Sequence, residues 1–246
     1  MKDSGYIELH CHSYFSLLDG ASSPEAMVAR AKALGYPALA LTDQSGLYGA
    51  IRFRQAAQEY GLKALIGAEI AVDEGAHLTL LAESQQGYAN LCRLLSAGHM
   101  AGQKGHPIFA LQTVAEHSGG LICLSGGRQG LVSRALLEED EDTAWQVAGD
   151  LWDIFGAKGF WIELQRHYLP ADALLVPALV SQARRLGTGI LATNDVHYAE
   201  RSGQRLHDVL SCIRQHTTLP EALAGGLLPS NSEHYLKPPG EMMELF

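Results

Sequence analysis

The sequence predicts an α/β fold built on a parallel sheet, open or closed into a barrel, and three observations carry that expectation. Strand-like apolar runs alternate with amphipathic helical stretches along the 246 residues. Several of the runs, among them Ala38-Leu39-Ala40-Leu41 and Leu121-Ile122-Cys123-Leu124, are continuous rather than alternating, as strands covered on both faces are. Finally, His10, Asp43, Glu69, Gly127 and Asp195 each fall at or just after the end of such a run, where α/β barrels gather their active sites.

Taken in order, Ile7-Glu8-Leu9-His10 alternates as a half-buried strand and delivers His10 and His12 to one face, with Cys11 on the other. Ser23-Pro24-Glu25 reads as a helix N-cap, a proline at the first helical position and an acid in the first turn. That helix buries Met27, Val28, Ala31 and Leu34 and stops near Gly35. The strand at Ala38–Leu41 ends in Thr42-Asp43-Gln44, and a helix from about Ala50 to Tyr60 stops at Gly61. Ala64-Leu65-Ile66 is a strand with Gly67-Ala68-Glu69 leaving its end, and His77–Ala82 is another, followed by a helix carrying Tyr88, Leu91, Leu94 and Leu95. Gly98–Pro107 lacks an apolar period and reads as a mobile loop. After the strand Leu121–Leu124 comes the glycine-rich Ser125–Gly130, then one helical stretch to about Phe155. Strand Phe160–Leu164, helix Asp172–Leu186 and strand Gly189–Ala192 follow, the last ending in Thr193-Asn194-Asp195-Val196-His197. The tail is helical through Cys212 and closes with a turn-rich segment and a helical stub.

A hydrophobic content of 47% and a charged content of 18% describe a globular chain with a full core. The net charge of -9 excludes a broad basic surface that holds nucleic acid by phosphate neutralisation, so a phosphorylated ligand needs metal ions or local cations. Cys11, Cys92, Cys123 and Cys212 have no paired spacing and read as reduced, mostly buried small hydrophobes. The start, MKDSGYIELH, has no signal-peptide core, and no apolar run is long enough to span a bilayer, so the expectation is a cytoplasmic protein without a membrane partner.

Two imidazoles on one strand face are a poor packing unit and a good start to a metal site. His10, His12, Glu69 and Asp195 form a two-imidazole, two-carboxylate set able to hold one transition metal with a position open for substrate. Glu69 with His77, and Asp19 with His197, are candidates for a second and a third ion, and the expected chemistry is phosphoester hydrolysis. Arg128 and Arg166 are candidates for phosphate contact, while Asp43 reads equally well as a turn acid.

The motifs LHCHSYFSLLDG, ALALTDQSGLYGA, IGAEI, HLTLLAES, ELQRH and ATNDVHY occur in one order along the chain. Together they resemble the polymerase-and-histidinol-phosphatase (PHP) domain of bacterial DNA polymerase III alpha subunits, and more closely that of their error-prone translesion relatives. The resemblance implies a distorted seven-stranded (β/α) barrel over residues 1–225, with 226–246 leading toward a polymerase body, and a cluster of one to three zinc or manganese ions. It places the first ion on His10, His12, Glu69 and Asp195; the second on Glu69, His77 and a residue near Gly127; the third on Asp19, the residue at Gln44 and His197. Two positions depart from the family pattern, which has His where this chain has Gln44 and Cys or His where it has Gly127.

A full cluster in this family implies metal-dependent phosphoesterase or 3′–5′ exonuclease action, and a degraded one implies a structural or docking module. Both readings stand, with DNA met through the polymerase body and other replication or translesion proteins as partners. A free-standing PHP phosphoesterase is the next alternative. An amidohydrolase-type barrel also opens with His-x-His, but neither ALIGAE nor CLSGG supplies its bridging lysine. Changing Gln44→His together with Gly127→Cys is expected to raise metal occupancy if the pocket around the two positions is intact.

Overall fold

The computed structural model of the protein describes residues 5–72 and 75–246. Contacts divide it into two compact units: the chain up to Asp43 with Tyr48–Leu65 and Asn194–Phe246, and Gln44–Leu47 with Ile66–Thr193. Six strands are found among the described residues, joined in the order β1-β2-β3-β4-β5-β6. No described helix is long and apolar enough to cross a membrane.

In the first unit, α1 (Pro24–Ala33) starts where the sequence places it: the Ser23 side chain accepts from Ala26 N, and Pro24 and Glu25 occupy the first turn. It buries Met27, Val28 and Ala31 and packs on α2 (Ala50–Glu59), whose buried face is Ala50, Phe53, Ala56 and Ala57. All four residues of β1 (Ala38–Leu41) are buried. The predicted strand over Ile7–His10 is a string of bridges instead, with Glu8 on Leu39 and Cys11 on Val196, both parallel. Its backbone is diverted locally, because the Glu8 carboxylate accepts from Leu9 N at 3.1 Å and His10 N at 3.0 Å. The unit is completed by α8 (Gln204–Arg214), α9 (Leu219–Ala224) and α10 (Pro239–Leu245). Of these, α9 lies between the helix read through Cys212 and the turn-rich end, in a stretch the sequence reading leaves unassigned; its start carries a Thr218–Glu221 capping box.

The second unit holds most of the sheet. β2 (Lys63–Val72) is longer than predicted and contains Glu69 instead of ending before it; it pairs antiparallel with β3 (Ala76–Ala82). β3 is antiparallel to β4 (Leu121–Leu124) as well, whereas β4, β5 (Phe160–Leu164) and β6 (Gly189–Ala192) pair in parallel. The all-parallel expectation is corrected by one connection. Val72 and Ala76 are paired partners, so the link between β2 and β3 is too short for a crossover helix and makes a hairpin.

The sheet's core residues include Ile70, Leu78, Leu80, Cys123, Phe160 and Ile162, packed with Leu91 and Leu94 of α3 (Gln85–Ala101) and Leu179 of α7 (Asp172–Leu186). α3 runs four residues into the stretch read as a mobile loop. Gly98 does not break it; it makes room for Phe109, whose ring would lie 2.1 Å from a Cβ at that position. The remaining turn is closed by Gln103 and His106, each bonded to the other's backbone, and leads to α4 (Leu111–Glu116). The single helix expected after Gly130 is two, α5 (Leu131–Leu137) and α6 (Glu141–Gly159), broken at Glu139 with φ 62° and restarted by Asp140, which accepts from Thr143 N.

Candidate metal centre

The first unit gathers five of the predicted ligands. His10 and His12 are each 1% exposed, and their rings lie 5.1 Å apart on the face that the period-2 reading assigns them. Asp195 comes from the loop after β6, and its Oδ1 stands 3.6 Å from Nε2 of both. The His12 ring stacks on His197 at 4.9 Å, and His197 bridges two carboxylates, Nε2 to Asp195 at 3.2 Å and Nδ1 to Asp19 at 3.1 Å. Among the described residues, three sets of donors have ligand atoms all within 4.8 Å of one another: His10, His12 and Asp195; Asp195, His197 and His234; Asp19, His197 and His207.

Supporting contacts aim these groups. His12 Nδ1 meets Ser16 Oγ at 3.1 Å, which leaves Nε2 toward Asp195. Asp43 accepts from Ser13 N at 2.7 Å and from the Ser13 and Ser16 hydroxyls at 2.9 Å, so it braces the distant loop after the His-x-His pair rather than its own turn. Asp195 sits at φ 45°, in the left-handed region that Asp and Asn enter more readily than most residues. Its neighbour Asn194 is fixed from several sides: Nδ2 donates to the Glu233 and Tyr235 carbonyls, the backbone N to Glu8, and Oδ1 accepts from Lys237.

The electrostatics follow from burial and charge together. Burial favours protonated carboxyls at Asp195 and Asp19, yet His197 and His10 hold the first well below its usual range, and His197, His12 and Arg214 do the same for the second. Burial alone would discharge His197; Asp19 and Asp195 outweigh it and push the imidazole up. His207, buried and beside His197, is pulled down to about 4. Two carboxylates held ionised beside buried imidazoles, of which His207 and His234 are drawn toward the neutral form by burial, are a donor set fitted to a divalent cation.

The second unit holds the rest. Glu69 and His77 are two residues apart diagonally across the β2–β3 ladder, and His77 Nδ1 lies 3.0 Å from Glu69 Oε2. The hairpin that breaks the parallel pattern is what brings them together. Gln44 bridges Glu69 through its backbone, and Ser45 N donates to the Glu69 carbonyl. Arg128 is engaged by Asp172 at 3.1 Å, and Arg166 is half-buried.

Gly127 is closed to a ligand by geometry. It sits at φ 55°, and a Cβ there would fall 2.2 Å from the Gln165 amide, which donates to Glu163 at 3.2 Å and accepts from Arg128 N at 3.3 Å. Gly127→Cys alone is therefore expected to destabilise the fold by about 1–3 kcal/mol without adding metal. Adding Gln165→Ala should recover part of that loss. Thermal denaturation and metal content of the two variants check this, and a stable single variant with raised metal content would refute it.

Sequence reasoning missed three members of the first-unit cluster: His207, Arg214 and His234. His207 and Arg214 are seven residues apart on one face of α8, a spacing legible in the sequence, and Arg214 donates to Asp19. His234 left no local signal. Its Nδ1 meets the Asp195 carbonyl at 2.9 Å, and its own carbonyl accepts from His197 N at 2.9 Å.

Comparison with known proteins bears on the family of the chain. The family model described as PHP domain matches residues 8–167. The chain is 43% identical over 253 aligned residues to an error-prone DNA polymerase of Mycolicibacterium paratuberculosis, covering 98% of this chain and 23% of the relative. It is 36% identical to a DNA polymerase III subunit alpha of Treponema pallidum, covering 100% of this chain and 22% of the relative. The chain thus spans about a quarter of the length of the curated relatives it matches. Among solved structures, a protein from Bifidobacterium adolescentis assigned as a metal-dependent phosphoesterase aligns over 78% of this chain and 87% of its own, with a TM-score of 0.52 and 19% identity, which speaks for the fold alone. A family model matched over most of the chain, and relatives this similar along nearly all of it, establish that the chain belongs to the PHP domain family.

Proposed function

We propose that this chain is the PHP module of a longer DNA polymerase of the error-prone or polymerase III alpha type, and that it holds manganese or zinc ions for phosphoester hydrolysis at DNA 3′ ends. The observation that carries the reading is the convergence of His10, His12, Asp19, Asp195 and His197, with ligand atoms of each set within 4.8 Å. His10, His12 and Asp195 would hold one ion, and Glu69 with His77 would serve a second. Asp19 and His197 would serve a third. Such ions supply Lewis acidity toward a phosphoryl oxygen and activate water at neutral pH.

The chain's own residues do the rest. Ser16 holds the His12 tautomer, Asn194 fixes the backbone that presents Asp195, and His197 holds a proton between Asp19 and Asp195. Arg214, about half exposed, pairs with Asp19 and steadies its carboxylate, and Arg128 is likewise engaged by Asp172. The distorted seven-stranded barrel over residues 1–225 belongs to the same proposal. It is supported by residues 8–12, whose backbone bonds to β1 on one side and to Val196 on the other, as a further strand would. Residues 226–246 would then lead toward the polymerase body, through which DNA and other replication or translesion proteins are met.

A second reading, a docking module without hydrolysis, is favoured by one observation: the Gln165 amide fills the space where a side chain at 127 would project. The two readings separate when the full chain is loaded with Mn or Zn, its ions are counted by plasma mass spectrometry, and release from 3′-labelled DNA is followed. At least one ion per chain with metal-dependent release supports hydrolysis. Ions without release favour the docking module, and absence of both overturns the proposal.

A further inference from the structure

We infer that His207 is a ligand of the ion held by Asp19 and His197, taking the part that the family pattern gives to the imidazole missing at Gln44. The inference rests on the metal reading above and deepens it. α8 carries His207 into the cluster, where its ligand atom lies within 4.8 Å of those of both Asp19 and His197. The side chain is 4% exposed and its Nδ1 has no hydrogen-bond partner within the protein. A buried ring nitrogen left in that state is costly to the fold, and coordination is one way to satisfy it.

The surroundings fit a ligand better than a packing residue. The His207 ring stands edge-on to His197 at 5.2 Å and tilted to Tyr198 at 5.8 Å, so one side faces the carboxylate cluster and the other the core. One carboxylate and two imidazoles suit zinc or manganese and leave room for a substrate oxygen. One helical turn pair further along the same face, Arg214 donates to the other oxygen of Asp19 and orients it. α8 thus brings both a donor and the group that aims a second donor.

The test uses the full chain and two variants. His207→Gln keeps a polar side chain of similar size, and its ion count under manganese should fall by one per chain relative to wild type. His207→Cys places a thiolate at the same position; with Co2+ it should show a near-ultraviolet thiolate-to-cobalt band that the wild type, with its native cysteines, lacks. An unchanged ion count together with no new band overturns the inference. Should either variant fail to fold by circular dichroism, anomalous scattering from manganese-soaked wild-type crystals decides it: a peak among Asp19, His197 and His207 supports it, and a peak at His10, His12 and Asp195 alone refutes it. Wild type that binds no ion at all overturns the metal reading and this inference together, whereas ions indifferent to His207 overturn this inference only.

Discussion

Asp195→Asn is expected to lower affinity for Mn or Zn by about two orders of magnitude or more while leaving the fold intact. The carboxylate belongs to two of the three donor sets and lies 3.2 Å from His197 and 3.6 Å from each of His10 and His12. Loss of a group that merely orients a ligand costs about 10–100-fold in metal affinity, so loss of a shared ligand belongs at or beyond the top of that range. Asparagine is the right replacement because residue 195 sits at φ 45°, which Asn tolerates; alanine there would add backbone strain of about 1–2 kcal/mol and confuse ligand loss with unfolding. Removing the charge also removes one of the two carboxylates that hold His197 protonated, so the His197 imidazole should titrate at lower pH in the variant. Calorimetric titration with Mn, beside circular dichroism and the 1H–15N spectrum of the imidazoles, measures all three. Wild-type affinity in a folded Asp195→Asn protein would mean the ligand assignment is wrong.

The parts of the fold that were legible are those decided locally. Helix Asp172–Leu186 and strands Phe160–Leu164 and Gly189–Ala192 stand at the bounds read from the sequence, because a helix stop at Gly187 and short apolar runs leave no competing conformation. Strand direction was not legible in the same way. The repeat of strand and helix is the same text whether a strand runs parallel or antiparallel, and only the short β2–β3 link, read for its length, contradicts the all-parallel pattern.

The site divides along the same line. His10 and His12 follow from the period of an extended chain, whereas the hold of Asp43 on Ser13 and Ser16, some thirty residues earlier, does not follow from the chemistry of its own turn. His207, Arg214 and His234 join through contacts that no window of sequence contains; Arg214 and Asp19 are 195 residues apart. Gly127 was readable as a lost ligand, but not as a position that Gln165 now closes. That is a matter of volume, which one residue type cannot report about another 38 positions away.

The other large effect is expected one contact behind the ligand Asp195, at Lys237. Its side chain is fully buried, with Nζ 2.8 Å from Asn194 Oδ1, 2.6 Å from the Glu233 carbonyl and 3.2 Å from the Glu233 carboxylate. Burial draws its pKa down, and the Glu233 carboxylate opposes that shift. Lys237→Met keeps the stem and deletes the charge, stranding a buried carboxylate and the acceptor of Asn194, so a loss of about 3 kcal/mol is expected in urea denaturation. The value belongs at the lower end of such losses because Arg201 also reaches Glu233, at 3.2 Å. Adding Glu233→Gln to Lys237→Met should return part of the loss, since an apolar and a neutral residue avoid the desolvation of an unpaired charge. Metal affinity should weaken in the single variant too, because Asn194, released on one side, sets the backbone from which Asp195 projects. A stability loss under about 1 kcal/mol would show that water satisfies Glu233 and Asn194 once the ammonium is gone, and that the segment around Lys237 does not hold the Asp195 loop in place.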